Sequence, residues 1–377
     1  MAQGIAASLR GDGGCAAAEP EGAHVGRPRW CLDSASMAIA LEDVLERSYV
    51  VALPMRVQFR GIQTREALLI QGPAGWGEFC PFEDYAAPEA AHWLASGLEM
   101  AYQGPPPLLR EWVDINATVP AVQPEDVAGI LERFEGCSTV KVKVAEPGQS
   151  LAQDVARVQA VRDLWPLAKI RVDANRGWSV DEALEAAKQL GPLDYMEQPC
   201  ATVAELAQLR DRLVRSGIFL RVAADESIRR AEDPYEVARA KAADVAVVKP
   251  APIGGVRKVL EVAKFMRAQG LDITVASALD TGVGINAGLA AVAALPRHSD
   301  DEEFDVPPAA AGLGTQRLFL EDVTASRELV DGRLKAEMLA PEPERLEALQ
   351  ASGARKDAWL KRLAQAWEYL PDEALDC

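Results

Sequence analysis

Near the start of its patterned region, the chain alternates apolar and polar positions in three short runs, typical of strands that bury one face. The runs are Tyr49 to Leu53, Glu66 to Gln71 and Trp76 to Phe79, and a Gly-Pro-Ala-Gly turn separates the last two. We predict an antiparallel meander of three strands. A helix over Pro88 to Ala101 follows it, and Pro105 to Pro107 closes this small α+β domain.

Two loops of this domain mix apolar and charged residues. The first runs from Pro54 to Ile62 and includes Phe59 and Arg60, and the second runs from Cys80 to Tyr85. Such a composition fits an ordinary turn, but apolar residues beside arginines also suit a lid over an anionic substrate.

The second part of the chain repeats strand-like runs at intervals of 24 to 30 residues. Amphipathic helices fill the intervals, and capping-box sequences at Ser179 and Thr202 mark two helix starts. Strand-helix repeats of this length predict right-handed crossovers and a parallel sheet, which closes naturally into a barrel with a weak eighth strand near Gly312. An open doubly wound sheet is the alternative, although no glycine-rich fingerprint follows the first strand. The strand-like runs centre near Asp114, Val142, Val172, Met196, Ala223, Val247 and Val275.

These patterns predict an α/β protein made of a (β/α) barrel, that is, a modified TIM barrel, with an N-terminal α+β capping domain. We expect residues 1–40, rich in Gly, Ala and Pro, to be a disordered extension. The expected capping domain covers 41–110 and the barrel covers 111–324. Residues 325–377 are expected to pack back on the capping domain.

Parallel barrels carry their chemistry at the C-terminal ends of their strands, and here those ends are charged. Lys141 and Lys143 have the same parity, so both point to one face of an extended strand. An edge strand with solvated lysines would explain that pair alone, but not acids on three consecutive strands with lysines on either side. The strand-end residues are Lys141, Lys143, Asp173, Glu197, Asp225 and Lys249.

Three converging carboxylates repel one another unless a cation neutralises them. Oxygen donors without a nearby Cys or His favour Mg²⁺ over zinc. Lysines on both sides of such a site suit removal of a proton from the carbon next to a carboxylate. The cation then stabilises the enediolate, and Lys143 acts as the base.

The motifs around these residues resemble those of the enolase superfamily, in its muconate-lactonising subgroup, over about residues 48–320. The resemblance implies that Lys143 serves as base and then as acid, and that Lys249 stabilises the enolate from the opposite face, with Lys141 nearby. It also implies that Asp173, Glu197 and Asp225 bind Mg²⁺, for which Mn²⁺ can substitute, and that Asn175 and Glu226 support these ligands. The matching motifs are KxK at 141–143, DxN at 173–175, EQP at 197–199, ADES at 224–227 and VKP at 248–250.

Within the subgroup, the chain most resembles the actinobacterial o-succinylbenzoate synthases of menaquinone biosynthesis. The resemblance implies syn-dehydration of 2-succinyl-6-hydroxy-2,4-cyclohexadiene-1-carboxylate to 2-succinylbenzoate. It implies that Ser277 holds the succinyl carboxylate and that Arg60 and Phe59 belong to the lid. For Arg171, a substrate contact and a structural ion pair with a barrel acid are both open. The stretches that carry the resemblance are 53–61, 75–82, 170–175 and 276–284.

Other functions use the same residues. An N-acylamino acid racemase or dipeptide epimerase would use the two lysines as opposed bases, and a cycloisomerase is a third possibility. A catalytically silent scaffold would not need all of the strand-end charges.

Composition limits the partners of the chain. Its net charge of −17 over 377 residues would repel a nucleic acid, and no apolar run approaches the roughly 18 residues of a membrane span. The six cysteines form no CxxC pair, and three histidines leave little scope for a histidine base. We expect a cytoplasmic enzyme that acts on a small carboxylate. The sequence leaves the oligomeric state open.

Overall fold

The computed structural model describes residues 39–59, 61–230, 233–296, 307–371 and 374–375, without the side chain of Phe59. The expected disordered extension lies outside these residues, apart from Ile39 and Ala40. In the described part, no helix is both long and apolar enough to cross a lipid bilayer.

Three antiparallel strands form the sheet of the capping domain, β1 (Ser48–Phe59), β2 (Ile62–Gly72) and β3 (Gly75–Phe79), in the order β1-β2-β3. This is the predicted meander. A short helix α1 (Leu41–Glu46) precedes it, and α2 (Ala87–Leu98) covers it and ends in a π-helical turn, Glu99–Gln103. Gly77 and Gly97 allow α2 to approach β3, because a Cβ atom on Gly77 would lie 1.8 Å from the carbonyl oxygen of Gly97.

The loop predicted from Pro54 to Ile62 is wrong for most of its length. Strand β1 continues to Phe59, with a shift of register between Pro54 and Phe59. Met55 forms an antiparallel bridge with Phe319, so backbone pairing outside the hairpin extends the strand.

The second sheet is parallel and has seven strands in chain order, as the repeat predicted. A further strand, β4 (Trp112–Asp114), precedes them along the chain but lies outside this sheet. The parallel strands are β5 (Ala117–Val119), β6 (Thr139–Lys143), β7 (Lys169–Asp173), β8 (Tyr195–Glu197), β9 (Arg221–Ala224), β10 (Val245–Val248) and β11 (Asp272–Val275).

Two parallel bridges close the sheet into a barrel. Ala311 pairs with Ile115 just before β5, and Gly312 pairs with Ala276 just after β11. The weak eighth strand predicted near Gly312 is therefore present as these two bridges.

The first barrel strand was predicted near Asp114, and this position is wrong. Strand β4 pairs antiparallel with β12 (Arg333–Lys335), and the barrel begins with β5 three residues later. The short apolar run contains both strands, so its hydrophobic pattern alone does not separate them.

Helices surround the barrel, and capping boxes start three of them, at Ser150, Ser179 and Thr202. The last two were predicted. Short 3₁₀ turns cover Pro124–Asp126, Glu132–Phe134 and Thr315–Leu318. The helices after the capping domain are α3 (Val127–Leu131), α4 (Leu151–Leu164), α5 (Val180–Gln189), α6 (Val203–Arg215), α7 (Glu226–Arg229), α8 (Glu236–Arg239), α9 (Pro250–Ile253), α10 (Val256–Ala268), α11 (Ile285–Ala294), α12 (Pro343–Leu349) and α13 (Ala354–Trp367).

The C-terminal helices contact the capping domain. Trp359 of α13 is buried with the capping-sheet residues, stacks edge-on against Phe79 at 6.0 Å between ring centroids, and donates a hydrogen bond to Glu66 at 2.7 Å. The backbone N–H of Ala351 donates to Val50 at 2.8 Å. The apolar core of the capping domain therefore contains residues from both ends of the described chain.

Candidate active site

The charged residues at the strand ends meet in one buried cluster. Asp173 and Glu197 are neighbours in the register of β7 and β8, and Asp225 follows the last residue of β9. Lys141 donates hydrogen bonds to Asp173 at 3.0 Å and to Glu197 at 2.9 Å. The three carboxylates are at most 1% exposed, so the lysines replace the water that these acids would otherwise bind.

Lys143 lies beside the same acids. It donates to Asp173 at 2.6 Å and also to Asn175, whose amide donates to Glu226 at 3.1 Å. The shared parity of the two lysines in β6 therefore places both ammonium groups on Asp173.

Lys249 lies on the other side of the cluster. It follows β10 directly and donates to Asp225 at 2.7 Å. Strands β6 and β10 are separated by β7, β8 and β9, so Lys143 and Lys249 flank the three acids.

Sequence reasoning missed the fourth cation of the cluster. Arg229 of α7 donates to Asp225 at 3.0 Å and to Glu226 at 2.6 Å, and it also contacts Tyr85 of the capping domain. The spacing of four residues between Asp225 and Arg229 is a helical contact that could have indicated this pair.

Gln198 was also missed. Its side-chain oxygen accepts hydrogen bonds from the backbone N–H groups of Asp225 and Ser227, at 3.0 and 3.1 Å. Its φ of +37° lies in the left-handed region, which an ordinary side chain seldom adopts. Gln198 therefore fixes the start of α7, and with it the position of Asp225.

The acids of the cluster have different pKa values. Burial raises the pKa of Asp173, but the charges of Lys141 and Lys143 outweigh burial and hold it well below its usual range. Burial and the charge of Asp173 raise the pKa of Glu197 to about 7, against the effect of Lys141. Asp225 resembles Asp173, because Arg229 and Lys249 overcome its burial and lower its pKa.

The lysines differ as well. Burial lowers the pKa of Lys141, but Asp173 and Glu197 outweigh it and raise that pKa well above its usual value. The pKa of Lys249 is lowered, because burial and the nearby charges of Arg229 and Lys141 together exceed the effect of Asp225. Lys249 therefore loses its proton more readily than Lys141.

The donor set of Asp173, Glu197 and Asp225 fits a hard divalent cation. It consists of buried carboxylates at adjacent strand ends, without sulfur or imidazole donors. Burial and the neighbouring charge of Asp173 make the ionised form of Glu197 costly despite the nearby Lys141, and so raise its pKa. A cation at these oxygens would remove that cost.

Glu78, Cys80 and Asp280 form a different group of possible ligands, with atoms within 4.8 Å of one another. These residues lie between the capping domain and the loop after β11, separate from the expected ligands. The sequence did not predict this group.

A small cavity of about 40 Å³ opens beside the lysines, with room for a few water molecules. Ser277, which is expected to hold the succinyl carboxylate, lines it, and its hydroxyl shares a hydrogen bond of 2.7 Å with that of Thr315. An outer cavity of about 520 Å³ lies between the capping domain and the barrel mouth, and Phe82 and Asn175 line both cavities. The two cavities are therefore neighbours.

The structure does not bring Arg171 into this pocket. Arg171 donates to Asp194 at 2.8 Å and to the carbonyl oxygen of Ala310 at 2.6 Å, and it lines a separate cavity with Lys169 and Arg221 at the opposite, N-terminal end of the strands. It lies two residues before Asp173 in β7, so its side chain points into the barrel one layer below the acids. Of the two interpretations, the structure therefore supports the ion pair with a barrel acid.

The two expected lid residues follow one another at the end of β1. Arg60 and the side chain of Phe59 lie outside the described residues.

Comparison with known proteins identifies the class of this fold and site. Residues 126–337 match the family model described as "Enolase C-terminal domain-like", and residues 50–101 match "Enolase N-terminal domain-like". The muconate lactonizing enzyme from Pseudomonas fluorescens has a similar structure, with a TM-score of 0.67 and 22% identity over 81% of this chain and 98% of that chain. The L-Ala-D/L-Glu epimerase from Bacillus subtilis gives a TM-score of 0.64 and 21% identity, over 78% and 96% of the two chains. At these identities, the likeness shows the fold, which is that of the enolase superfamily.

Sequence relatives narrow the class. The chain is 56% identical to the o-succinylbenzoate synthase of Mycolicibacterium smegmatis over 329 residues, which are 86% of this chain and 96% of that protein. It is 54% identical to the protein of the same name from Mycobacterium tuberculosis strain H37Rv over 333 residues, 88% of this chain and 96% of the relative. The chain belongs to the o-succinylbenzoate synthase family of the enolase superfamily.

Proposed function

We propose that this chain is a lyase that dehydrates 2-succinyl-6-hydroxy-2,4-cyclohexadiene-1-carboxylate to 2-succinylbenzoate, a step of menaquinone biosynthesis. The observation that supports it best is the pair of lysines flanking one set of buried acids, in a chain at least 54% identical to proteins named for this reaction. The substrate is a small carboxylate, so the cations of the pocket suit it.

Lys143 is proposed as the base. As a neutral amine it takes the proton from the ring carbon that bears the carboxylate, and the electron pair of the broken C–H bond moves into that carboxylate. The resulting ammonium group then donates the same proton to the departing hydroxyl on the same face of the ring. The electron pair then returns from the carboxylate to form the new ring double bond, the C–O bond breaks, water leaves, and the ring becomes aromatic.

Lys249 and Ser277 are proposed to hold the substrate. Lys249 and Lys143 lie on opposite sides of the three acids. The positive charge of Lys249 would therefore stabilise the enolate from the face opposite to the base. Ser277 lines the same cavity as both lysines, and its hydroxyl can donate to the succinyl carboxylate. The outer cavity gives room for the part of the substrate that the 40 Å³ cavity does not admit.

Mg²⁺ is the proposed cofactor, held by Asp173, Glu197 and Asp225, with Mn²⁺ as a substitute. When bound, a divalent cation supplies positive charge that stabilises the developing negative charge on the substrate carboxylate and favours the neutral amine of a nearby lysine. Asn175 and Glu226 are proposed to support these ligands from outside. Asn175 accepts a hydrogen bond from Lys143 and donates one to Glu226, and so connects the two.

The alternative racemase or epimerase activity is not favoured. The L-Ala-D/L-Glu epimerase from Bacillus subtilis shares the fold at 21% sequence identity, whereas the two o-succinylbenzoate synthases are 54 to 56% identical to this chain. The test is to incubate the wild-type enzyme with the cyclohexadiene substrate and, separately, with N-acylamino acids in heavy water. We expect formation of 2-succinylbenzoate, and turnover of the N-acylamino acids alone would overturn the proposal.

A further inference from the structure

The interface between the capping domain and the barrel contains three buried ionisable side chains that the proposed mechanism does not use. Glu78 and Cys80 come from the capping domain, and Asp280 comes from the loop that follows β11. All three are at most 7% exposed, and their ligand-type atoms lie within 4.8 Å of one another. Two buried carboxyl groups this close repel each other when both are ionised.

The hydrogen bonds distinguish the two carboxyl groups. Glu78 accepts from the thiol of Cys80 at 2.8 Å, from the backbone N–H of Thr281 at 3.1 Å and from the hydroxyl of Thr281. These three donors favour the ionised form of Glu78. Asp280 has fewer donors, because the backbone N–H of Ala278 is shared between its two oxygens at 3.2 and 3.3 Å and the thiol of Cys80 lies 3.8 Å away.

Among the residues that the structure describes, Arg65 donates its hydrogen bonds to backbone carbonyl oxygens and not to either carboxylate. Its guanidinium donates to the carbonyl oxygens of Leu279 at 3.1 Å and Ala278 at 3.4 Å, and also to that of Cys80. The arginine therefore joins the same two segments as the carboxyl pair, through their backbones.

The loop between these contacts forms part of the catalytic cavity. Ser277, Ala278 and Leu279 all line that cavity. Leu279 has a φ of +64°, a left-handed conformation that is unfavourable for leucine. The contacts of Arg65 and Asp280 on both sides of Leu279 hold the loop in this conformation.

We propose that Asp280 carries a proton beside the Glu78 carboxylate, and that this pair positions the loop from Ser277 to Leu279 for substrate binding. Both are positioning residues, because neither lines the cavity that holds the lysines. The kinetic part of this inference rests on the proposed function, whereas the part concerning stability does not.

The surroundings of Asp280 are consistent with a retained proton. Burial and the charge of Glu78 raise the pKa of Asp280 to about 7, against the opposing effects of Arg65 and Lys249. Burial also raises the pKa of Glu78, although Cys80, Thr281 and Arg65 lower it, and Asp322 adds a further negative charge. Burial raises the pKa of Cys80 well above its usual value, so the thiol remains a donor.

The sign of the pH effect follows from the raised pKa. An acid whose pKa is higher in the folded state contributes stability that is present at low pH. That contribution is lost as the pH rises from the unfolded value near 4 through about 7. Above neutral pH, Asp280 should ionise beside Glu78 and loosen the loop.

Asp280→Asn tests this, because asparagine imitates the protonated acid at nearly the same size. Melting temperatures of the Mg²⁺-loaded variant and wild type are compared at pH 5.5 and pH 8.5. We expect the melting temperature of the variant, relative to that of the wild type, to be higher at pH 8.5 than at pH 5.5, because the wild type goes on losing stability between these values. Asp114→Asn, which removes an exposed carboxylate of β4, is the control for the loss of one negative charge. If Asp280→Asn lowered the melting temperature by the same amount at both pH values, the proposal that Asp280 carries a proton would be wrong.

A second measurement tests the positioning role. The KM of the wild type should rise above pH 7, and that of Asp280→Asn should rise less. At pH 7, Asp280→Ala and Glu78→Gln should raise KM about tenfold or more, with a smaller fall in kcat, and Asp280→Asn should retain more activity than Asp280→Ala. If Asp280→Asn and Asp280→Ala lose kcat/KM equally, the pair does not act through a proton. If the wild type lacks synthase activity but the melting temperatures behave as expected, the proposed function fails and the carboxyl pair stands.

Discussion

Lys249 donates a hydrogen bond to Asp225 across 2.7 Å, and both side chains are buried at the mouth of the barrel. Arg229 occupies the other oxygen of the same carboxylate at 3.0 Å. Asp225 is therefore compensated twice, and Lys249 can change its protonation or its partner without leaving this acid uncompensated. This is the arrangement expected of a lysine that acts on a substrate instead of serving only as a structural ion pair.

Substitution of the two lysines should have unequal effects. Lys143→Ala should lower kcat by at least 10³-fold, because one residue handles both proton transfers of a syn-dehydration, and each general acid-base role contributes about 10² to 10⁴. Lys249→Arg should retain more activity than Lys249→Ala, because it keeps the positive charge. Steady-state kinetics on the cyclohexadiene substrate measure both effects.

Arg229→Ala should destabilise the protein by about 3 kcal/mol or more, because it leaves Asp225 and Glu226 buried without their shared partner. Arg229→Lys should recover part of the loss. Chemical denaturation of the metal-free proteins measures the change. A loss below about 1 kcal/mol would show that water or another residue replaces the guanidinium.

Divalent cations should stabilise the folded chain. At a Mg²⁺ concentration one hundred times its Kd, binding to the native state alone adds about 2.7 kcal/mol, which a thermal melt detects. Chelation should abolish activity, and added Mg²⁺ or Mn²⁺ should restore it.

Two variants locate the cation. Glu197→Gln should reduce the Mg²⁺-dependent rise in melting temperature, whereas Asp280→Asn should keep it. The reverse result would place the cation at the group of Glu78, Cys80 and Asp280 instead.

Glu197 should make the metal-free protein less stable as the pH rises. Its folded pKa of about 7 exceeds the unfolded value near 4.5, so its contribution is present below pH 4.5 and is lost by about pH 7. The free energy of unfolding of metal-free Glu197→Gln, relative to the wild type, should therefore rise between these values, by about 3 kcal/mol at most. Urea melts at pH 5 and pH 8 measure the difference, and a difference that falls with pH would contradict the raised pKa.

The sequence predicted that the charged strand ends lie together, and it did so for a physical reason. In a parallel barrel all strands run the same way, so a charge at the end of each strand is enough to bring Lys143, Asp173 and Lys249 to one mouth. Knowing which residue ends each strand is therefore enough to predict which side chains meet at the mouth of the barrel. The roles of the individual residues remain predictions that the substitutions test.

Other features depend on contacts that strand order does not determine. The Glu78 and Asp280 pair joins residues about 200 positions apart, and neither residue belongs to a pattern that indicates the other. Arg171 shows the limit within a strand. Because Arg171 and Asp173 are two residues apart in β7, the strand pattern predicts that both side chains point into the barrel. The pattern does not say how deep each one lies, and Arg171 lies deep enough to pair with Asp194 and too deep to reach the substrate pocket.

Helix α13 packs on a sheet made of strands from the other end of the described chain, and this affects the order in which the protein folds during synthesis. Strands β1 to β3 leave the ribosome before the barrel strands, but Trp359 and Leu363 complete the apolar core beneath them. The core of the capping domain therefore remains incomplete until more than 280 further residues after Phe79 have been synthesised. The barrel can close in the meantime, since its strands follow one another along the chain. A nascent chain stopped before α13 should therefore contain a formed barrel and an unprotected capping sheet, which limited proteolysis of stalled ribosome complexes would cut first.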